Sequence, residues 1–302
     1  MSDVRVAAAD VGSNTVHMLV GEVHRNTVRE IHRQVLMPRV GAVVQATKRI
    51  GPEKIREVAD DLAMLRAAAL SHGASVLLLC ATEAVRRAAD REEALQAFGE
   101  AFGVPCVLIP GEVEGMLSFR GAASVVTGNG AVLVCDIGGG STEMALGRRH
   151  AVESSVSLPI GSGAATDRWL RTDPPTLYER RACFDGVMSA LRGAPLARPD
   201  LVMSTGGTAT SLPTLLQRER ETYLDADDLA YCRDLLMAYP SAHIAAHYNL
   251  DPARARVLAG GVEILDAVRL LFEAQRIGVT INGLRSGMIL AWREKGERWV
   301  QG

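Results

Sequence analysis

Aromatic residues are scarce in this chain: Phe, Trp and Tyr together make up 4% of its 302 residues. Its cores must therefore rest on Ala, Val, Leu, Ile and Met. The hydrophobic fraction of 48% and charged fraction of 23% are those of an ordinary soluble globular protein. No sign of charge prevails. The formal net charge is −2, and Arg is interspersed with acidic residues. This argues against the basic footprint of a nucleic-acid binder and against a polybasic membrane signal. An anionic ligand would have to be held by local donors and a metal, not by a global positive field. The five cysteines, Cys80, Cys106, Cys135, Cys183 and Cys232, show no metal-ligand spacing. No apolar run reaches the roughly 20 residues of a membrane span, and the N-terminus lacks a signal-peptide pattern. The expectation is a cytoplasmic protein with reduced thiols. A Walker loop is missing, as is a Gly-x-Gly-x-x-Gly fingerprint with a well-placed acidic ribose ligand.

What the chain does contain is one motif written twice. Asp10-Val-Gly-Ser-Asn-Thr-Val-His-Met-Leu-Val-Gly21 is echoed without a gap by Asp136-Ile-Gly-Gly-Gly-Ser-Thr-Glu-Met-Ala-Leu-Gly147, at a constant offset of 126 residues. Each copy follows an apolar run, Val4 to Ala9 or Ala131 to Cys135, and leads into another. Strand, acidic-Gly turn, strand is the expected local structure. A lone Asp-x-Gly would signal an ordinary hairpin, but a twelve-residue echo signals a duplicated device. Gly/Ser turns point backbone N–H groups at an anion, and a neighbouring carboxylate can hold a cation. Two such turns facing each other would make a phosphate clamp with a metal between them.

The rest of the chain fits two α/β halves, with a boundary near residues 121–130, where Thr127-Gly-Asn-Gly130 breaks the pattern. In the first half Ile55, Val58, Leu62, Leu65 and Ala69 recur at helical spacing, with Pro52 near the start and Gly73 past the end. Strands are expected at 76–81 and 104–109, and a helix over 112–125. In the second half, helices are expected at 174–193, 226–238 and 252–275, and strands at 201–205 and 277–281. The last segment, 286–300, is expected to pack back across the first half.

Three further segments carry chemistry. Ala81-Thr82-Glu-Ala-Val-Arg86-Arg87 lies at a strand's carboxyl end, where α/β proteins build sites. There Thr82 offers a helix cap or a phosphate hydroxyl, and Arg86 a charge-assisted fork. Ser204-Thr-Gly206-Gly207-Thr places paired glycines at a strand-to-helix junction, which lets N–H groups approach an anion closely. Glu112 and Glu114 open a helix, where acidic residues also serve the dipole.

Taken in order and spacing, Asp10-Val-Gly-Ser-Asn-Thr, Ala-Thr82-Glu-Ala-Val-Arg86, Gly111-Glu-Val-Glu114, Asp136-Ile-Gly-Gly-Gly-Ser-Thr-Glu143, Gly206-Gly-Thr and Gly283-Leu-Arg285-Ser-Gly287 resemble those of the exopolyphosphatase/guanosine pentaphosphate phosphohydrolase family, within the actin-like ATPase superfamily. The resemblance covers nearly the whole chain. It implies two ribonuclease-H-like domains, 1–125 and 126–302, with an active-site cleft between them. It implies Glu114 as general base and Asp136 and Glu143 as the acidic residues near a metal, Mg²⁺ or another divalent cation. The phosphate-holding positions become Gly12, Ser13, Asn14, His17, Thr82, Arg86, Gly138, Gly139, Gly140, Ser141, Gly206, Gly207 and Arg285.

The implied activity is metal-dependent release of terminal orthophosphate from inorganic polyphosphate. The alternatives are guanosine pentaphosphate 5′-phosphohydrolysis and non-catalytic binding of guanosine tetraphosphate. Members handling guanosine nucleotides can carry Arg where this chain has His17, which leans towards polyphosphate. Expected partners are polyphosphate or guanosine penta- and tetraphosphate, with no nucleic acid and no membrane; a homodimer is left open. Longer members append further domains, so this chain resembles the short two-domain form. It departs from the usual pattern at Ala42, Val113, Ala164 and Arg256, none of which removes Glu114, Asp136 or Glu143.

Overall fold

In the computed structural model, which describes residues 4–195 and 197–300, each copy of the repeated motif closes an antiparallel hairpin. The contacts divide the chain into two units: residues up to Val125 together with those from Asn282 onward, and Val126–Ile281.

The first unit opens with strands β1 (Arg5–Val11), β2 (Val16–His24) and β3 (Thr27–Leu36), then helices α1 (Val40–Thr47) and α2 (Pro52–Ser71). Strand β4 (Val76–Ala81), helices α3 (Glu83–Arg87) and α4 (Arg91–Phe102), strand β5 (Val107–Leu108) and helix α5 (Gly111–Ala123) complete it. The sheet order is β3-β2-β1-β4-β5, antiparallel from β3 to β1 and parallel from β1 to β5. Alternate β1 residues supply two cores. Ala7, Ala9 and Val11 face α2 and α4, whereas Val6 and Ala8 join Leu117 of α5 and the closing segment of the chain.

The apolar stripe of α2 is the one its spacing dictates: Ile55, Val58, Leu62, Leu65 and Ala69 are its buried residues. Burying each of the larger ones contributes roughly 1.5–3 kcal/mol, several times what helix propensity decides per residue. Packing, not propensity, fixes this helix. The expected strand at 104–109 is shorter, Val107–Leu108. It lies at the sheet edge, and Pro105 has no N–H to give a ladder.

The second unit repeats the plan. It runs through β6 (Ala131–Ile137), β7 (Thr142–Arg148), β8 (Ala151–Leu158), α6 (Ser162–Trp169), α7 (Leu177–Ala190), β9 (Leu201–Thr205) and α8 (Gly206–Leu215). Then follow β10 (Tyr223–Asp225), α9 (Ala226–Ala238), α10 (Ser241–Tyr248), α11 (Pro252–Leu271) and β11 (Arg276–Val279). Its sheet order, β10-β11-β9-β6-β7-β8, reproduces that of the first unit with one strand added at the edge. A single core runs through it, with α11 at its centre through Leu258, Val262 and Leu265.

The chain closes with α12 (Leu284–Lys295), which packs along α5. A Cβ at Gly287 would overlap the backbone oxygen of Leu117, and one at Gly121 that of Gly283. The glycine of the Gly283–Gly287 motif is thus a close-approach position between two helices whose first turns carry Glu114 and Arg285. Among the described residues, no helix is long and apolar enough to cross a membrane.

Candidate active site

The two hairpins share one backbone geometry. Gly12 N donates to Thr15 O at 2.8 Å, and Gly138 N to Ser141 O at 3.0 Å. Asp10 pairs in register with His17, and Asp136 with Glu143, so the offset of 126 holds in the strand ladder as in the sequence. Each turn is also gripped from the same place in the plan, the helix that follows the third strand. Gly41 N donates to Ser13 O at 2.7 Å, and Ala164 N to Gly139 O at 2.9 Å.

In the first unit, the carboxyl ends of three parallel strands deliver the candidate residues to one edge. From β1 comes the turn 12–15, from β4 the segment Thr82 to Arg87, and from β5 the start of α5 with Glu114. Thr82 stands at the N-cap position of α3, where its side chain makes no capping bond. Glu114 is buried, and Arg86 Nη1 donates to its Oε2 at 2.9 Å and to the Ile109 carbonyl at 2.7 Å. Arg86 is thus engaged with Glu114 before any ligand is considered.

Ser13 Oγ donates to Glu83 Oε2 at 2.7 Å. Asn14 Nδ2 is buried with no acceptor in the protein, an orphaned donor in the turn expected to face phosphate. Arg285 pairs through Nη1 with buried Asp10, while its Nε is buried and lacks an acceptor. Burial pushes the Asp10 carboxyl above its ordinary value, against the opposing pull of Arg285. His17 Nε2 lies 3.3 Å from Arg33 Nη1.

In the second unit, Asp136 lies between Glu143 on β7 and Thr205 on β9. Glu143 is buried and accepts from Ser157 Oγ at 2.7 Å. The Gly138-Gly139-Gly140-Ser141 turn is fastened to α6, Ser162 N donating to Gly138 O at 2.9 Å. Gly206 has a φ of +89°, a left-handed conformation that favours glycine, and a Cβ there would stand 2.7 Å from Asp136 Oδ1. Beside it, a Cβ on Gly207 would overlap the guanidinium of Arg254. Burial pushes Arg254 down to about 10, against the opposing effect of Asp251. No carboxylate among the described residues forms an ion pair with it. A guanidinium lying over a glycine pair at the start of a helix is suited to an anion.

Among the described residues, no three or more His, Cys, Asp or Glu converge on a metal position. The pair Asp136 and Glu143 nonetheless suits Mg²⁺, which binds through one or two carboxylates and fills its remaining positions with water and phosphate oxygens.

Four residues beside these turns are not marked as such by the sequence. Asp10 and Glu83 lie inside the motifs, but the sequence marks Asp10 only as a carboxylate able to hold a cation, whereas it pairs with Arg285, and gives Glu83 no role. Arg254 was passed over for its neighbour Arg256, which instead donates to the Leu170 carbonyl at 2.6 Å. Arg33 sits on β3, and nothing in its local sequence marks it.

The profile of the Ppx/GppA phosphatase family matches residues 19–295. Exopolyphosphatase 2 of Mycobacterium tuberculosis is 32% identical over 289 residues, covering 88% of this chain and 90% of that protein. Guanosine-5′-triphosphate,3′-diphosphate pyrophosphatase of Vibrio vulnificus is 25% identical over 299 residues, covering 93% of this chain and 58% of that protein. The crystal structure of the Aquifex aeolicus member of the Ppx/GppA family superposes with a TM-score of 0.82 at 27% identity, covering 97% of this chain and 99% of that one.

Proposed function

The chain belongs to the Ppx/GppA phosphatase family, and on that premise we propose that it is an exopolyphosphatase, releasing terminal orthophosphate from inorganic polyphosphate. The observation that carries the reading is Glu114. It is a buried carboxylate held by Arg86, at the strand-end edge that also bears the first anion turn.

In the first unit, the N–H groups of the 12–15 turn and the Asn14 amide bind phosphate oxygens. In the second, the 138–141 turn, the Gly206-Gly207 junction and Arg254 do the same. Polyphosphate carries about one charge per unit, so Arg254 offsets charge that the near-neutral chain as a whole does not. The unpartnered Nε of Arg285, whose charge Asp10 already balances, offers a further donor. Asp136 and Glu143 would hold Mg²⁺, which when bound offsets the charge on the phosphate oxygens. Glu114 orients the attacking water and takes its proton. The water oxygen bonds to the terminal phosphorus as the anhydride bond breaks, and the shortened chain leaves as its phosphate anion. Because phosphoryl transfer depends chiefly on positioning and charge, the site has to provide fixed donors, one base and the charge offset that a bound Mg²⁺ would supply.

The test is phosphate release measured side by side on short polyphosphate, long polyphosphate and guanosine pentaphosphate, with Mg²⁺ and without ATP. Release from polyphosphate is expected. Release from guanosine pentaphosphate alone would replace this reading with the one suggested by the Vibrio relative. No release from any of the three would overturn both.

A further inference from the structure

The five-residue helix α3 holds two things at once. At its first residue, buried Glu83 accepts the Ser13 hydroxyl at 2.7 Å through Oε2 and Arg87 Nη1 at 2.7 Å through Oε1. Three residues on, Arg86 holds Glu114. One turn of helix therefore spans from the anion turn to the carboxylate read as the base. Ser13 is fixed from a second side as well: Gly41 N donates to its carbonyl, and a Cβ on Gly41 would stand 2.8 Å from Ser13 Cβ. Backbone and side chain of this residue are thus anchored by separate elements.

We infer that Glu83 is a positioning residue that acts through Ser13, setting both the direction of the Ser13 hydroxyl and the placement of the first anion turn relative to Glu114. The inference rests on the hydrolytic reading above. An ionised carboxylate only accepts hydrogen bonds, so the Ser13 proton points at Glu83 and its lone pairs face elsewhere. Ser13 Oγ then meets a ligand as an acceptor, suited to water, and the phosphate oxygens are left to the turn's N–H groups and Asn14. The site gains a fixed polarity: donors for phosphate on the backbone, an acceptor on the side chain. Neither the echo nor the family motif implies this, because the contact joins residues 70 positions apart.

Glu83→Gln tests it with little change of volume. An amide has one accepting oxygen and one donating nitrogen, so it cannot accept from both Ser13 and Arg87. Turning its oxygen to Arg87 makes it donate to Ser13 Oγ, which frees the serine proton to point into the site. Steady-state kinetics on short polyphosphate are compared for the parent, Glu83→Gln, Ser13→Ala, the double variant and Glu114→Gln, with thermal midpoints alongside.

The expected result is a fall in kcat of about tenfold for Glu83→Gln, as for a reacting group displaced by a fraction of an ångström, with KM within about twofold. The double variant is expected to be no slower than Ser13→Ala, because the two residues act as one unit. Multiplicative losses in the double variant would overturn the inference, as would a kcat loss that tracks a lowered thermal midpoint. If Glu114→Gln is inactive and Glu83→Gln turns over like the parent, this assignment alone falls. If Glu114→Gln keeps full turnover, the hydrolytic reading falls and the assignment with it.

Discussion

Arg86 Nη1 bonds both the Ile109 carbonyl and the Glu114 carboxylate, at 2.7 and 2.9 Å. One guanidinium nitrogen thereby ties the strand end before α5 to the acidic residue on that helix's first turn. Arg86→Lys keeps the charge but replaces the rigid, longer-reaching guanidinium with a shorter, flexible ammonium. A single donor is then no longer held at the place of Nη1, where it meets both acceptors. The expected outcome is a drop in kcat on the order of 10- to 100-fold, larger than the change in KM for polyphosphate. Steady-state kinetics check it, and an effect confined to KM would make Arg86 a substrate contact only.

Asp136 and Glu143 face each other across the second hairpin. Asp136→Asn and Glu143→Gln each remove one negative charge from the proposed Mg²⁺ environment. Both are expected to raise the Mg²⁺ concentration needed for half-maximal phosphate release. An unchanged metal titration in both variants would separate these carboxylates from the metal.

Gly207 lies beneath the Arg254 guanidinium. In Gly207→Ala, the new methyl displaces the end of a flexible side chain, so folding is retained while the guanidinium leaves the turn. Arg254→Gln removes the charge outright. Both variants are expected to weaken polyphosphate binding, with KM rising about tenfold or more, as for loss of a charge-assisted contact worth ~1.5–3 kcal/mol. The thermal midpoint should stay close to that of the parent. Unchanged KM in both would remove Arg254 from the ligand.

Much of this was legible in the sequence. The Ile55-to-Ala69 stripe, the β4 strand over Val76–Ala81 and the offset of 126 between the hairpins all follow from local spacing, which is the information a sequence carries directly. The pairing of Asp10 with Arg285, of Ser13 with Glu83 and of Gly207 with Arg254 was not. These contacts join residues 275, 70 and 47 positions apart, and no periodicity encodes them. The shortened β5 has another cause. Its apolar residues resemble a buried strand, but Pro105 and an edge position limit its pairing. The engagement of Arg86 by Glu114 is likewise hidden, because the sequence points to Arg86 as a phosphate contact and to Glu114 as the base, and nothing in their spacing joins the two.

A pH effect on stability follows from Glu179 in the first turn of α7. The Thr172 hydroxyl, together with backbone N–H groups of Thr172 and Thr176, holds its carboxyl down to about 2. A carboxylate whose pKa is lowered by folding stabilises the fold fully above its ordinary value of 4.5 and loses that contribution as pH falls towards the folded value. Glu179→Ala is therefore expected to be less stable than the parent near pH 6, with the gap narrowing as pH falls to about 3. Urea unfolding at the two pH values measures it. A gap that stays constant would mean the side chain contributes by packing, not by its charge.

The central claim is that Glu114 is the base in hydrolysis of a terminal phosphoanhydride, and Glu114→Gln tests it most directly. The amide preserves shape and burial but cannot take the water's proton. Phosphate release from short polyphosphate is measured for parent and variant at saturating Mg²⁺, with polyphosphate binding determined on the same samples. The account predicts a loss in kcat on the order of 10²–10⁴-fold with binding retained. A variant that binds polyphosphate and hydrolyses it at close to the parent rate would contradict it.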